Sequence, residues 1–225
     1  MLRSLPKGIL SLVLVGLIAA NVFVYRAALA PRLLVLSVLE AGKGKAVLVE
    51  TPSGETLLIN AGSDASILRA LGSALPFWQR RLDIAILTRP DTKTNGGMPE
   101  VLARYNVQLL MRPATEGSRA FEGALGSAPA PRRVLARGDR LELGSGVTVD
   151  VLWPPPDAEM NTADGALVLL ISYGKTSVLF DPALSPRISK YLDSLSVSSP
   201  APDLVISSST LPATFTSDGI SVVSK

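Results

Sequence analysis

The sequence predicts a mixed α/β domain that follows an apolar N-terminal segment. Residues 8–25 carry no charge, apolar β-branched runs alternate with helical patterns over residues 33–111, and further strand-like runs occupy residues 140–180. A chain of 225 residues is long enough for one domain with a substantial core and a segment to spare. We therefore divide the chain into an N-terminal segment, residues 1–32, and a globular domain, residues 33–225.

The N-terminal segment has the length of a membrane-spanning helix. Residues 8–25 are almost entirely apolar and are flanked by basic residues on both sides. A helix needs about 17–25 such residues to cross a bilayer. We expect an uncleaved anchor in the cell membrane, with the globular domain on the extracytoplasmic side. A cleaved signal peptide is the main alternative, because Ala28-Leu29-Ala30 resembles a cleavage site, and a buried core helix is the third.

The first half of the globular domain alternates strands with helices. Apolar runs predict strands at residues 33–39, 46–50, 56–60, 83–88 and 108–111, and amphipathic patterns predict helices at residues 65–75 and 98–105. Turn residues fill positions 51–54, Asp64 is a candidate helix cap, and Pro76 is expected to end the first helix. Helices that alternate with strands in this way cover the faces of a sheet.

The second half is predicted to be richer in strands. Residues 114–131 contain no long apolar run, so we expect an irregular excursion with one short helix near residues 119–125. Strands are predicted at residues 140–143, 147–152, 166–172, 176–180 and 203–207, and a helix at residues 186–195. Tyr173-Gly174-Lys175 is predicted to form a hairpin turn.

The net charge of +3 belongs to the N-terminal segment. Four of the 22 basic residues precede the first acid, Glu40, so residues 33–225 hold 18 bases and 19 acids, a balance of −1. Direct, non-specific binding of nucleic acid by the globular domain is therefore not expected. Four arginines form a local exception, and we interpret them as a solvated loop and strand edge rather than a binding groove: Arg132, Arg133, Arg137 and Arg140.

Several motifs resemble, in order and spacing, the metallo-β-lactamase-like domain of ComEC-type DNA-uptake proteins. Residues 39–46 stand where that family typically has L-D-V-G-Q-G-D-A, residues 59–62 where it has I-D-G-G, and residues 75–78 where it has L-P-F-W. The likeness continues at residues 138–141, 153–156, 161 and 166–169. It implies a four-layer αββα sandwich, which composition and periodicity alone do not indicate. Since family members usually continue further, a chain that stops at Lys225 implies an incomplete second half.

The resemblance also implies a metal site whose ligands this chain has replaced. The family's loop T-H-x-H-x-D-H supplies the first ligands for zinc or manganese. Thr88 is kept here, but the four ligand positions are occupied by Arg89, Asp91, Lys93 and Thr94. The chain contains neither His nor Cys, and two of the replacements would place fixed positive charges beside a dication. We therefore expect no resident metal and no hydrolysis through a metal-bound water.

Downstream, the family's second ligand group is also altered. Asp181 approximates the family's aspartate with a one-position shift, and residues 207–210 offer hydroxyls where the family has H-H-G-S. Glu40, Asp64 and Asp181 are candidates for a vestigial or alternative site. We also hypothesise that Arg89 and Lys93 pair with neighbouring carboxylates and so close the former ligand cavity.

Three functions remain open at this point. The first is a membrane-anchored, catalytically inactive domain with a structural or interaction role in DNA uptake, beside a protein partner or a membrane DNA channel. The second is a hydrolase or nuclease with a carboxylate-only site for Mg²⁺ or Mn²⁺, which accept all-oxygen ligands. The third is an anchored binding module for a partner protein, unrelated to the family's history.

Overall fold

A computed structural model describes residues 11–21, 33–127, 129–156, 164–181, 188, 190–191, 194, 202–207, 214–217 and 220–224. The chain divides into two compact units, Met1–Arg32 and Leu33–Lys225. In the first unit, residues 11–21 are helical (α1) and exposed along their whole length, with Leu12 at 77%. Among the described residues, no helix is both long and apolar enough to span a membrane. The predicted span over residues 8–25 lies partly outside the described residues.

The second unit contains thirteen described strands and four described short α-helices. In chain order these are β1 (Leu34–Ala41), β2 (Gly44–Glu50), β3 (Thr56–Ile59), α2 (Ile67–Ala74), β4 (Arg81–Ile86), α3 (Thr92–Asn95), α4 (Met98–Arg104), β5 (Asn106–Pro113), α5 (Arg119–Gly126), β6 (Arg132–Leu135), β7 (Arg140–Leu143), β8 (Val147–Trp153), β9 (Val168–Tyr173), β10 (Thr176–Asp181), β11 (Leu204–Ser207), β12 (Thr214–Ser217) and β13 (Ile220–Ser224). The described residues between 188 and 194 are also helical.

The strands form two sheets. The first has eight strands in the order β12-β13-β1-β2-β3-β4-β5-β6, and the second has five in the order β11-β10-β9-β8-β7. β1, β2 and β3 are successively antiparallel, while β3, β4, β5 and β6 are parallel to one another. β13 pairs in parallel with β1. Six strands therefore begin at the same edge of the first sheet, meaning the edge formed by strand ends and not by an outer strand: β1, β3, β4, β5, β6 and β13.

Three apolar clusters separate four layers. One lies between the two sheets and joins Leu36 and Val49 to Val149 and Leu169. A second lies between the opposite face of the first sheet and helices α2, α4 and α5. A third packs Ile188, in the helical residues near 190, against the outer face of the second sheet. This is the predicted αββα order, in which each sheet is buried on both faces.

Most predicted elements are confirmed within a few residues. The hairpin turn is also confirmed, since Tyr173 pairs with Thr176 and Gly174 has a φ of 62°. Four elements are absent from the prediction: α3, β6, β12 and β13. The first helix begins at Ile67 rather than at residue 65.

Candidate functional site

The loop that replaces the family's metal loop lies where β4 ends. Residues 87–91 leave β4, the short helix α3 follows, and Gly96 and Gly97 lead into α4. A parallel bridge between Gly62 and Asn95 holds α3 against the chain that leaves β3. The loop therefore sits at the carboxyl end of two parallel strands, the edge at which α/β proteins usually bind ligands.

Asp91 is the N-cap of α3. Its Oδ1 atom accepts a hydrogen bond of 2.8 Å from the backbone N–H of Thr94, and its own backbone is extended. This arrangement is typical of aspartate ahead of a helix, because the first N–H groups of a helix lack partners within it. One oxygen of this carboxylate is therefore engaged in local structure.

The other carboxylate oxygen of Asp91 faces Arg89. Nε of Arg89 lies 3.0 Å from Oδ2 of Asp91, and each side chain is 24% exposed. The contact is ionic but not a well-aligned hydrogen bond, since these two buried atoms have no hydrogen-bond partner among the described residues. The predicted pairing of Arg89 with Asp91 is thus present, and it occupies the second oxygen.

Lys93 does not take part in this pairing. Its side chain is exposed and makes no ion pair with a described carboxylate, so its expected pairing with Glu40 or Asp91 is wrong. Its backbone instead packs closely, because a Cβ at Gly44 would lie 2.8 Å from the carbonyl oxygen of Lys93. The physical reason is local: the turn of α3 is fixed by backbone packing and directs this side chain to solvent.

A buried amide and hydroxyl cluster supports the loop from beneath. Oδ1 of Asn60 accepts hydrogen bonds from the backbone N–H and the Oγ1 hydroxyl of Thr88, both at 2.9 Å, and from Nδ2 of Asn95 at 3.1 Å. Nδ2 of Asn95 also donates to the carbonyl of Arg89 at 2.7 Å. All three cluster side chains belong to buried residues. Sequence reasoning missed Asn60 and Asn95, although an asparagine directly after a buried strand and another directly before a Gly-Gly pair were available as signals.

The same loop is joined to the second sheet. The carbonyl of Thr88 accepts a hydrogen bond of 2.9 Å from the backbone N–H of Leu167, one residue before β9. The loop is therefore fixed by α3, by the chain after β3 and by the second half of the domain.

Among the described side chains, Glu40 and Asp64 form no ligand set with the loop. Glu40 is exposed in β1 and lies opposite Lys45 of β2. Asp64 is exposed, and Oδ1 of its carboxylate accepts from the N–H of Ser66 at 2.9 Å. Hydrogen bonding, chiefly from Ser66, lowers the pKa of Asp64. Asp181 ends β10 and pairs with Ser207 of β11, but its side chain is outside the described part of the chain.

Several solved structures share this arrangement of sheets. A metallo-β-lactamase with a HARLDQ motif from Cronobacter sakazakii matches 73% of this chain and 67% of its own, with a TM-score of 0.51 and 16% identity. The metallo-β-lactamase MIM-2 matches 79% and 74%, with a TM-score of 0.54 and 18% identity. Zn(2+)-bound PqqB from Methylobacterium extorquens matches 73% and 60%, with a TM-score of 0.52 and 16% identity.

The chain has the metallo-β-lactamase fold. At these identities the likeness concerns the fold alone. No family model and no curated protein matches the sequence.

The residues of this metallo-β-lactamase fold do not fit a zinc centre at the usual loop. Zinc in proteins is held by imidazole, thiolate and carboxylate, and the sequence contains no His or Cys. The loop offers one carboxylate, on Asp91, and both of its oxygens are engaged. Across the part of the chain that the structure describes, no group of three or more Asp or Glu side chains could hold a metal ion. The open cleft beside the loop, of about 440 Å³, is lined by Arg89, Pro90, Asp91, Thr92, Lys93 and Ser118.

The four-arginine segment is also distributed rather than gathered. Arg132 donates to the carbonyl of Leu125, Arg140 pairs with Asp150, Arg133 lies 3.7 Å from Asp139, and Arg137 stacks over the ring of Tyr191. Each arginine has its own partner within the domain. The contacts agree with a solvated strand edge better than with a shared binding groove.

Proposed function

We propose that this chain is a membrane-anchored, catalytically inactive domain of the metallo-β-lactamase fold, with a structural or interaction role in DNA uptake. The observation that carries the proposal is the double engagement of Asp91, which caps α3 with one oxygen and faces Arg89 with the other.

Inactivity is supported by the chemistry of the loop. A metal-bound water is the usual nucleophile in hydrolases that bind zinc, and it needs a metal held by several donors. In this loop a guanidinium already lies beside the only carboxylate, so a dication there would displace an ion pair and a helix cap. A carboxylate-only hydrolase would need further acidic side chains converging on the loop, and Glu40 and Asp64 do not supply them.

Anchoring is supported by the N-terminal sequence and by α1. Residues 8–25 carry no charge, and the described helical part exposes large apolar side chains such as Leu12, Leu14 and Ile18. An exposed, predominantly apolar helix is unfavourable in water and favourable in lipid. The domain is proposed to lie on the extracytoplasmic side.

The role in DNA uptake rests on the motifs shared with ComEC-type proteins. Because the globular domain has a balance of −1, its proposed partner is a protein or a membrane DNA channel rather than DNA itself.

The decisive experiment for inactivity is metal analysis of the full chain, extracted from membranes and dialysed against buffer with zinc or manganese. Nuclease, phosphodiesterase and β-lactam hydrolysis are assayed on the same samples, with MIM-2 as a positive control. We expect substoichiometric metal and no turnover. Stoichiometric metal or turnover that is lost in Asp91→Ala, but kept in the neighbouring Thr92→Ala, would favour the carboxylate-only hydrolase and overturn the proposal.

Anchoring is tested separately by alkaline carbonate extraction of membranes. We expect the chain to remain in the membrane pellet, and Leu14→Arg combined with Ile18→Arg to release it. Release of the unaltered chain would contradict an anchor.

A further inference from the structure

We propose that the edge of the first sheet at which β4 begins docks on an anionic lipid bilayer, with Phe77 and Trp78 entering the interface. This inference builds on the proposed membrane anchoring and adds a defined face of the domain to it.

The two aromatic side chains form an exposed pair. Phe77 is 80% exposed and Trp78 is 71% exposed, and their rings meet edge to face with centroids 4.8 Å apart. They lie in the loop between α2 and β4, which the buried side chain of Leu75 fixes to the core. Large aromatic side chains are normally buried in a soluble domain, whereas Trp is enriched where a protein meets the lipid headgroups.

The charges next to the pair are basic. Arg80 and Arg81 follow Trp78 after Gln79, and both are exposed. Arg80 stacks over the ring of Tyr105, and the exposed Arg104 directly precedes Tyr105. The nearest acid in sequence, Asp83, is already engaged by Nε of Arg81 and by the N–H of Thr56, both at 2.9 Å. Basic side chains beside exposed aromatic rings are complementary to an anionic lipid surface.

Strand direction places the chain's entry into the domain at the same edge. β1, β4 and β5 run in one direction, so Leu34, Arg81 and Asn106 all begin strands at the edge that carries the aromatic pair. Residue 33, which leads back to the apolar N-terminal segment, therefore leaves the domain there. The loop with Arg89 and Lys93 lies at the opposite edge. A bilayer is the occupant that accounts for the aromatic rings, the arginines and the point of entry together.

Two acidic residues at this edge are in no observed ion pair among the described residues. Glu55 directly precedes β3, and its carboxylate accepts a hydrogen bond from the backbone N–H of Gly144, between β7 and β8. Glu50 ends β2, two strands from β4. It is half-buried. Glu50 and Glu55 thus flank the β2–β3 turn, whereas Arg80 and Arg81 lie in the chain segment that carries Phe77 and Trp78.

The test uses the full chain reconstituted into vesicles of phosphatidylcholine and phosphatidylglycerol that contain lipids brominated on the acyl chains. Bromine quenches indole fluorescence at short range. The chain has two tryptophans, and Trp153 is buried, so the difference between the unaltered chain and Trp78→Phe reports Trp78 alone. In the Trp78→Phe background, Thr92→Trp places an exposed indole at the opposite edge as a matched control.

We expect quenching of Trp78 and none of the indole at position 92. Arg80→Gln and Arg81→Gln should each lower the ratio of docked to undocked domain about fivefold, as expected for one basic side chain near an anionic surface. Raising the salt concentration towards 1 M on the unaltered chain should act in the same direction, because it shortens the Debye length to about 3 Å.

Each of the other outcomes contradicts one part of the proposal. If carbonate-resistant vesicles show no quenching of Trp78, docking is wrong and the anchor stands. Equal quenching at both positions contradicts an edge-specific contact. Shielding of Trp78 from acrylamide that rises with chain concentration, without quenching by bromine, identifies a second copy as the occupant. If carbonate removes the chain, the anchor is wrong, and quenching before carbonate treatment still decides the docking.

Discussion

Oδ1 of Asn60 accepts hydrogen bonds from both the backbone N–H and the side-chain hydroxyl of Thr88, at 2.9 Å each. Asn60 adopts a φ of 62°, in the left-handed region that asparagine tolerates better than most residues. One side chain thus satisfies two donors at the end of the neighbouring strand and adopts a backbone conformation that few residues accept.

We expect Asn60→Ala to lower the free energy of unfolding by about 2–4 kcal/mol, because buried donors lose their acceptor and alanine disfavours the left-handed conformation. Asn60→Gly removes the same acceptor without the conformational cost, so it should be less destabilising by about 1 kcal/mol. Urea unfolding of both variants measures the difference. The exposed Asn106→Ala is the control, and equal effects of the three changes would contradict this account.

The capping role of Asp91 makes a second prediction. Asp91→Ala should cost about 1 kcal/mol of folding free energy, while Asp91→Ser, which keeps a capping oxygen, should retain most of it. Denaturant midpoints at neutral pH are the measurement. If the serine variant loses as much stability as the alanine variant, the contact with Arg89 and not the cap accounts for the loss.

Close packing explains why the loop is followed by glycines. A Cβ at Gly97 would lie 2.4 Å from the carbonyl oxygen of Asp64 and 2.5 Å from that of Ala61. We expect Gly97→Ala to destabilise the domain by about 1–3 kcal/mol, since backbone atoms must move. Gly72→Ala is the matched control, because Gly72 lies within α2 with no atom near its missing Cβ, and it should be stabilising by about 0.5–1 kcal/mol. Thermal unfolding compares the two, and a neutral Gly97→Ala would contradict the close approach.

The ion pair between Glu122 and Arg112 predicts that the stability of the domain falls in acid. The two carboxylate oxygens of Glu122 accept hydrogen bonds from Nη1 and Nη2 of Arg112 at 2.6 and 2.7 Å, and this pairing holds the pKa of Glu122 below its ordinary value of 4.5. Because the folded-state pKa is the lower one, the stabilisation is present above about pH 4.5 and is lost as the pH falls through the folded-state pKa.

At pH 7 we expect Glu122→Gln to cost about 1–2 kcal/mol, a moderate value because the carboxylate is partly exposed. This gap in the free energy of unfolding between the variant and the unaltered protein should shrink in acid. Urea titrations at several pH values measure it, with the exposed Glu116→Gln as control. A gap that stays constant down to the acid limit would assign the effect to packing instead.

Apolar periodicity predicted the long buried strands but not the short or exposed elements. β8 alternates buried and partly exposed residues along its whole length, which is a clear period of two. β6 exposes three of its four residues, Arg132, Arg133 and Val134, so its sequence resembles a loop although its backbone pairs with β5. α3 has only four residues, fewer than a helical period needs to become visible.

The site was predictable as an altered loop and not as a hydrogen-bonded cluster. The exchange of ligand types at Arg89, Lys93 and Thr94 is visible in the sequence, because it concerns residue chemistry at fixed spacing. The contact of Asn60 with Asn95 joins residues 35 positions apart and depends on how α3 turns towards the chain after β3. Spacing along the chain carries no signal for such a contact.

The parallel pairing of β13 with β1 has a consequence for synthesis. Leu34 through Val38 lie beside Ile220 through Ser224, so one side of β1 stays unpaired until β13 has been synthesised. Until then its backbone N–H and C=O groups form an open edge on which another nascent chain can pair.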